Sequence, residues 1–102
     1  MLLFNLSILS SPDGTLTWVY RGSVLEVVST STGHRVASLN VELWLRDAVA
    51  NIVCVCEFRC QGRARLLVAV NRSTEQGMVV LLDVASSLVV RVIEIPQQVS
   101  ER

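Results

Sequence analysis

Three cysteines, Cys54, Cys56 and Cys60, fall within seven positions of one apolar segment. Structural zinc takes four ligands, commonly from Cys-x₂₋₄-Cys pairs, and Cys56 and Cys60 have that spacing. Cys54 is offset by two positions, and the single histidine, His34, lies in the other half of the chain. We therefore predict no zinc site. We interpret the cysteines as reduced thiols of an intracellular protein, buried on a strand as small hydrophobic side chains.

Nucleophilic and acid–base catalysis are the next chemistries to consider. A cysteine nucleophile requires an adjacent base and a positively charged setting that lowers the pKa of its thiol. His34 follows Gly33 in a predicted hairpin turn, where a solvated side chain is expected. Asp13, Asp47 and Asp83 fall in a predicted turn, a loop and a strand end, and no two of them converge as acid–base catalysis requires. The sequence predicts no catalytic, metal-binding or cofactor-binding residue, no cofactor and no enzyme activity.

Phosphate and nucleic-acid binding are also not expected. Residues 29–32 are rich in hydroxyls that could accept a phosphate, but their composition favours a turn. The five glycines include no phosphate-cradling pattern. Nine basic residues balance nine acidic ones, so the segment lacks the positive field of a nucleic-acid-binding protein.

The composition indicates one apolar folded domain. Hydrophobic residues make up 51% of the 102, and the mean hydropathy is +0.50. This is more apolar surface than a lone small domain hides, which indicates a missing partner or further chain. No run reaches the roughly 20 apolar residues of a membrane span. Residues 1–9 resemble a signal-peptide core, but no positive charge precedes them and a turn follows, so we interpret them as a buried strand.

Turn signals divide the chain into short segments that read as strands. Val, Ile, Thr and aromatic residues crowd the segments between them, which excludes a mostly helical chain. The predicted strands are 15–20, 24–28, 35–41, 51–58, 64–70, 78–84 and 88–95, the last ended by Pro96. Residues 42–50 contain good helix formers, and we predict a loop with one helical turn there.

Two of the strands lack polar interruption, at 79–82 and 88–90. Such runs are typical of strands buried between two layers, as in a propeller blade, whereas a free-standing sandwich would alternate more cleanly. An internal repeat also favours propeller blades. With an offset of 54, residues 24–36 align with residues 78–90, and the predicted strands and the turn between them coincide. We interpret this unit as the outer hairpin of a blade.

The turn and strand ends resemble those of WD40-type blades. Residues 11–16, Ser-Pro-Asp-Gly-Thr-Leu, are similar to a blade opening, and residues 81–86 are similar to the end of a third strand. Leu82 occupies the place of the signature Trp, Ser29 aligns with Asp83, and no Gly-His pair precedes either unit. The resemblance is therefore to degenerate members of that class.

A closer similarity is to the amino-terminal propeller of the large nucleoporin ELYS, over roughly residues 15–99. The matching steps, in order, are Leu25-Glu26-Val27, Thr32-Gly33-His34-Arg35, Glu57-Phe58, Leu81-Leu82-Asp83-Val84, Ser87, Val89-Val90-Arg91 and Ile95-Pro96. The resemblance implies a fragment, short isoform or truncated relative of a family that builds nuclear pores on chromatin.

Together these observations predict an all-β antiparallel meander of about two WD40-like β-propeller blades, an incomplete propeller spanning 1–102. The blade-like repeats are expected at about 3–41 and 50–96, with a polar tail at 97–102. The predicted function is a non-catalytic protein-interaction or scaffold module, and the resemblance implies a location in the nucleus, at the nuclear pore. We expect protein partners, no membrane span, and self-association through open blade edges. The alternative is a self-contained small β-sandwich or α/β domain, with 42–50 as a helix over one sheet, that binds a ligand or a protein.

Overall fold

The computed structural model describes residues 6–73 and 77–95. Within these ranges the chain forms eight strands and one short helix: β1 (Ser7–Ser10), β2 (Leu16–Arg21), β3 (Val24–Ser29), β4 (Arg35–Asn40), α1 (Val41–Leu45), β5 (Asn51–Cys60), β6 (Arg63–Asn71), β7 (Met78–Asp83) and β8 (Leu88–Glu94). The prediction of an all-β chain is confirmed. Residues 1–5 and 74–76, Pro96 and the predicted tail 97–102 lie outside the described residues.

The strands form two separate antiparallel sheets of four strands each. Sheet 1 has the order β1-β2-β3-β4, and sheet 2 has the order β5-β6-β7-β8. Each sheet is a meander because every strand pairs with the strand that follows it in sequence. At the first turn Pro12 fits the fixed φ of a type I or II position, and Gly14 adopts a φ of +78° while its N–H donates to the Ser11 carbonyl (2.9 Å).

The connection between the sheets contains the only helical turn in the described ranges. Helix α1 begins after Asn40, whose side-chain oxygen accepts a hydrogen bond from the Leu43 N–H (3.2 Å). It ends at Arg46, which adopts a left-handed conformation with φ +55°. The alternative of a helix over 42–50 covering a single sheet is therefore wrong, because α1 has five residues and there are two sheets.

One hydrophobic core lies between the two sheets. We call the side of each sheet that contributes to this core its packed face and the other side its open face. The packed face of sheet 1 carries Trp18, Leu25, Val27, Ala37 and Leu39, and that of sheet 2 carries Ile52, Val55, Leu66, Val68, Val70, Met78, Val80 and Leu82. Alternation along each strand sends the intervening side chains to the open faces.

Backbone hydrogen bonds relate the two sheets with an offset of 54 residues. The same bonds recur in the last turn and at the strand ends: Gly33 N to Ser29 O (2.7 Å) and Ser87 N to Asp83 O (2.8 Å); Val41 N to Ser23 O (2.9 Å) and Ile95 N to Gly77 O (3.0 Å). The register shift between Val27 and Val28 also recurs, between Leu81 and Leu82. The two sheets are therefore equivalent units in which residue 24 corresponds to residue 78.

This equivalence shows that the sheets meet through opposite faces. Leu25 and Val27 lie on the packed face of sheet 1, but their equivalents, Val79 and Leu81, lie on the open face of sheet 2. Conversely, Met78 on the packed face of sheet 2 corresponds to Val24 on the open face of sheet 1. Both sheets therefore point the same way in the stack: the face that sheet 1 packs against sheet 2 is equivalent to the face that sheet 2 leaves open.

Two expectations about burial are wrong. The predicted buried strand at 1–9 is β1 in its described part, and Ile8 is 61% exposed at the edge of sheet 1. Residues 88–90 belong to the other edge strand, β8, where Leu88 is 62% exposed. The reason is shared: the prediction assumed a neighbouring layer on both faces of each sheet, whereas each sheet has a neighbour on one face.

Truncating the core is expected to destabilise the fold. Leu25 is fully buried on the packed face of sheet 1, so Leu25→Ala removes apolar contacts and leaves a cavity between the sheets. We expect a loss of about 2–5 kcal/mol in the free energy of unfolding, measured by urea denaturation. Leu43→Ala is the matched control, because Leu43 is 73% exposed on α1, and it should change stability by no more than about 0.5 kcal/mol. Equal losses in both variants would contradict the assigned core.

Candidate functional site

Asp83 is the most enclosed charged side chain described, with 1% of its side chain exposed. Arg63 donates to both carboxylate oxygens (Nη2–Oδ2 2.7 Å, Nε–Oδ1 3.1 Å), and the Arg65 Nε donates to Oδ1 (3.2 Å). Ser86 donates to Oδ2 from its N–H (3.1 Å) and its hydroxyl (2.8 Å). The Arg63 and Ser86 hydrogen bonds hold the pKa of Asp83 well below its ordinary value. The ionised carboxylate therefore ties β6 to the end of β7 and its turn.

Asp13 performs a similar role in the first turn of sheet 1. Its Oδ1 accepts hydrogen bonds from the Ser11 hydroxyl (2.6 Å) and from the N–H (3.0 Å) and hydroxyl (2.8 Å) of Thr15. These bonds, that of Ser11 first, lower the pKa of Asp13. Arg59 of β5 donates to the other oxygen of Asp13, Oδ2 (3.3 Å), so Asp13 also links the first turn of sheet 1 to sheet 2.

Asp47, in the connection after α1, accepts bonds from the Ser73 N–H (2.9 Å) and hydroxyl (3.0 Å). The backbone bond from Ser73 is the main cause of a lowered pKa at Asp47. Asp13, Asp47 and Asp83 share no hydrogen-bond partner, so these three carboxylates form no acid–base pair with one another. Each one holds a turn or connection in place.

The cysteines and His34 lie on different sheets. Cys54 and Cys56 are exposed on the open face of sheet 2, and Cys60 is the last residue of β5. Their predicted burial is therefore wrong for Cys54 and Cys56, because no layer covers that face. His34 lies in the turn between β3 and β4 of sheet 1. Across residues 6–73 and 77–95 no three His, Cys, Asp or Glu side chains are placed to hold a metal ion.

The hydroxyl-rich residues 29–32 form the turn between β3 and β4. Ser29 N donates to the His34 carbonyl (2.9 Å), and the Thr30 hydroxyl bonds that of Thr17 on β2 (2.8 Å). The hydroxyl of Thr32 accepts the His34 N–H (3.1 Å). The Thr32 hydroxyl is thus engaged within the turn, and the Thr30 hydroxyl joins the turn to β2.

The open face of sheet 1 carries a concave surface that no sequence motif marks. A groove of about 400 Å³ is lined by Leu6, Val19, Arg21, Val24 and Glu26. Its floor comes from alternate residues of β2 and β3, which point away from the core. The Glu26 carboxylate accepts a hydrogen bond from Arg35 (3.3 Å) at its rim, where both side chains are largely exposed. Four of its five lining residues fall within positions 19–26, but no motif marks them, and only the register of β2 and β3 shows that they share one face.

The open face of sheet 2 is apolar and partly uncovered. Phe58 on β5 is 43% exposed and Ile93 on β8 is 48% exposed. Cys54 and Cys56 lie on this face beside Phe58, and Arg91 carries a charge on the edge strand. Apolar side chains grouped on one sheet face are typical of interaction surfaces. The two open faces are thus the candidate functional site.

No protein-family model matches the chain, and no curated protein matches it either. Among the described residues there is no helix with the length and apolar character needed to cross a membrane.

The charge of Asp83 is expected to stabilise the fold in a pH-dependent way. Asp83→Asn keeps a hydrogen-bond acceptor but removes the charge that both arginines contact, so we expect a melting temperature several degrees lower at neutral pH. Because the folded-state pKa of Asp83 lies below its unfolded value, this stabilisation is complete above the unfolded pKa and is lost as the pH falls towards the folded pKa. The gap between wild type and variant should narrow from about pH 6 to about pH 2 in thermal melts followed by circular dichroism.

Glu42→Gln serves as the control for this titration. The Glu42 carboxylate is exposed on α1 and accepts a long hydrogen bond, 3.5 Å, from the Ser23 hydroxyl. Its melting curves should follow those of the wild type at every pH. A gap for Asp83→Asn that stays constant or widens on acidification would contradict the stabilising role of the ionised carboxylate.

Proposed function

We propose that this chain is a non-catalytic protein-interaction module whose two sheets serve as consecutive blades of a WD40-type β-propeller. The observation that carries the proposal is the packing of equivalent sheets through opposite faces. In a propeller, blades pack face to face around a common channel, so each blade turns one face to the blade before it and the other to the blade after it. Stacking in one sense, as between sheet 1 and sheet 2, is what that arrangement requires.

The placement of the carboxylates supports a non-catalytic role. Asp13, Asp47 and Asp83 are engaged by neighbouring N–H, hydroxyl or guanidinium groups, and each stabilises a turn or connection. A lowered pKa keeps a carboxylate ionised, which suits a structural anchor better than a general acid poised near neutral pH. The exposed thiols of Cys54 and Cys56 lie on the sheet that does not carry His34.

The open faces supply the interaction surfaces of the proposed module. Val24 is 40% exposed on the open face of sheet 1, and Ile93 is 48% exposed on the open face of sheet 2. Covering such side chains removes apolar surface from water and favours association. Protein rather than nucleic acid is the expected partner, because basic and acidic residues balance along the chain.

The resemblance to the ELYS propeller adds a cellular setting to the proposal: a scaffold of a nuclear-pore assembly protein, acting in the nucleus. The residues that carry the resemblance have structural roles in the fold. Gly33 adopts a φ of +75° in the last turn of sheet 1, Arg35 pairs with Glu26, and Asp83 holds the corresponding turn of sheet 2. The resemblance therefore concerns the architecture of a blade.

A second candidate is a self-contained β-sandwich that binds a small ligand. The groove of about 400 Å³ on the open face of sheet 1 favours it, because small-molecule sites commonly have about 300–1,000 Å³. Its lining of Leu6, Val19 and Val24, with Arg21 and Glu26 beside them, would suit an apolar ligand with a polar group. This candidate assigns no role to the apolar open face of sheet 2.

The proposed function predicts partners that depend on the open faces. Tagged wild-type chain, Val24→Lys and Ile93→Lys would be used to capture proteins from a nuclear extract, followed by quantitative mass spectrometry. We expect a set of proteins recovered by the wild type and depleted at least tenfold by one or both variants, because a lysine charge placed in an apolar interface is costly to desolvate.

Leu43→Lys is the matched control, because Leu43 is 73% exposed on α1, which belongs to neither sheet. It should recover the wild-type set. Recovery that is the same for all four proteins would contradict the interaction module. Ligand-dependent stabilisation of the wild type that only Val24→Lys loses would favour the β-sandwich instead.

A further inference from the structure

We propose that the open face of sheet 2 in one copy of the chain binds the open face of sheet 1 in a second copy, so that copies assemble head to tail. This inference rests on the proposed function, because it treats both sheets as blades. It names a second copy of the chain as the partner of both open faces. Self-association then occurs by stacking of sheet faces and not, as the sequence predicted, by pairing of strand edges.

The main argument is the equivalence between the open faces and the packed faces. Val79, Leu81 and Ile93 on the open face of sheet 2 correspond to residues that are buried on the packed face of sheet 1: Leu25, Val27 and Leu39. The open face of sheet 2 therefore resembles the packed face of sheet 1, which is the surface that sheet 2 covers within each chain.

The same correspondence holds for the other half of the junction. Val24 and Val28 on the open face of sheet 1 correspond to Met78 and Leu82, which are buried on the packed face of sheet 2. The groove beside Val24 gives this surface a concave shape. At these positions each half of the proposed junction is apolar where one half of the internal interface is apolar.

Exposure supports the same assignment. Ile8 is 61% and Val24 is 40% exposed on the open face of sheet 1, while Phe58 and Ile93 are 43% and 48% exposed on the open face of sheet 2. The equivalents of Val24 and Ile93, Met78 and Leu39, are 3% and 9% exposed inside the chain. A second copy that covered the open faces would bury Val24 and Ile93 as their equivalents are buried inside the chain.

Charged residues stand at several positions of the proposed junction whose equivalents inside the chain are apolar. Glu26 stands where sheet 2 has the buried Val80, Arg35 stands where it has Val89, and Arg91 stands where sheet 1 has the buried Ala37. Glu26 is already paired with Arg35, and Arg21 lies beside it. Because both open faces carry arginine, the proposed contact relies on the apolar positions and not on opposite charges.

A head-to-tail contact between different surfaces either closes into a ring or continues as a fibre. Propellers close with about four to eight blades. With two sheets per copy, rings of four, six or eight blades correspond to about two, three or four copies. We expect closure, since the junction repeats the internal stacking between sheets 1 and 2.

Complementation between two variants tests this assembly. Wild type, Val24→Lys, Ile93→Lys and the control Leu43→Lys would be compared by sedimentation equilibrium, with circular dichroism to verify folding. We expect discrete oligomers of about two to four copies for the wild type and the control, and monomers for each face variant alone. Mixing Val24→Lys with Ile93→Lys should give a heterodimer, because each retains the face that the other lacks.

The exposed thiols provide an independent readout. Cys54 and Cys56 lie on the open face of sheet 2, so their reaction with a maleimide should slow at least fivefold when a Cys60→Ser background assembles at high protein concentration. Val24→Lys in the same background should react at the same rate at all concentrations.

Several outcomes would overturn the proposal. These are a wild type that remains monomeric at all concentrations, an assembly broken by only one of the two face variants, or a mixture that yields no heterodimer. A monomeric wild type that still captures nuclear proteins through its open faces would refute self-assembly while leaving the proposed interaction module intact.

Discussion

The fold depends on the burial of the two packed faces against each other. A four-stranded meander with one apolar face is at best marginally stable in water unless another layer covers that face. Here Leu25 and Val27 of sheet 1 and Leu66 and Val80 of sheet 2 are fully buried in one shared cluster. The polar links between the sheets, such as Arg59 with Asp13, can fix their relative position only because this apolar contact already holds them together.

The same constraint explains the character of the open faces. A sheet that is covered on one side normally alternates apolar and polar side chains, as β3 does in part with Glu26. Strand β7 does not alternate: Val79 and Leu81 on the open face are as apolar as Val80 and Leu82 on the packed face. The chain therefore has the side chains for a third layer on this side, and Cys54 and Cys56 lie on the same surface.

Local physical chemistry made the strands and turns predictable from sequence. Pro12 and Gly14 define a turn by their φ preferences, and β-branched runs define the strands between such turns, so the predicted bounds of β2 to β8 differ from the observed ones by no more than two residues. Residues such as Cys54 and Ile8 were misplaced because burial depends on which faces have a neighbour, and that information is not local. The contacts of Asp83 with Arg63 and Arg65 were likewise hidden, because they join positions about 20 residues apart through the strand register.

The two equivalent turns differ at one position, and the difference affects how the two sheets hold together. Gly33 takes a φ of +75° at no steric cost, whereas Ser87 takes a φ of +58° at its equivalent position and must bear some strain. In return the Ser87 hydroxyl accepts the N–H of Ser38 (3.1 Å) on β4, the edge strand of sheet 1. A glycine could not supply that acceptor. The position that only shapes a turn in sheet 1 thus joins the two sheets in sheet 2, so the local strain at Ser87 is coupled to the contact between the sheets.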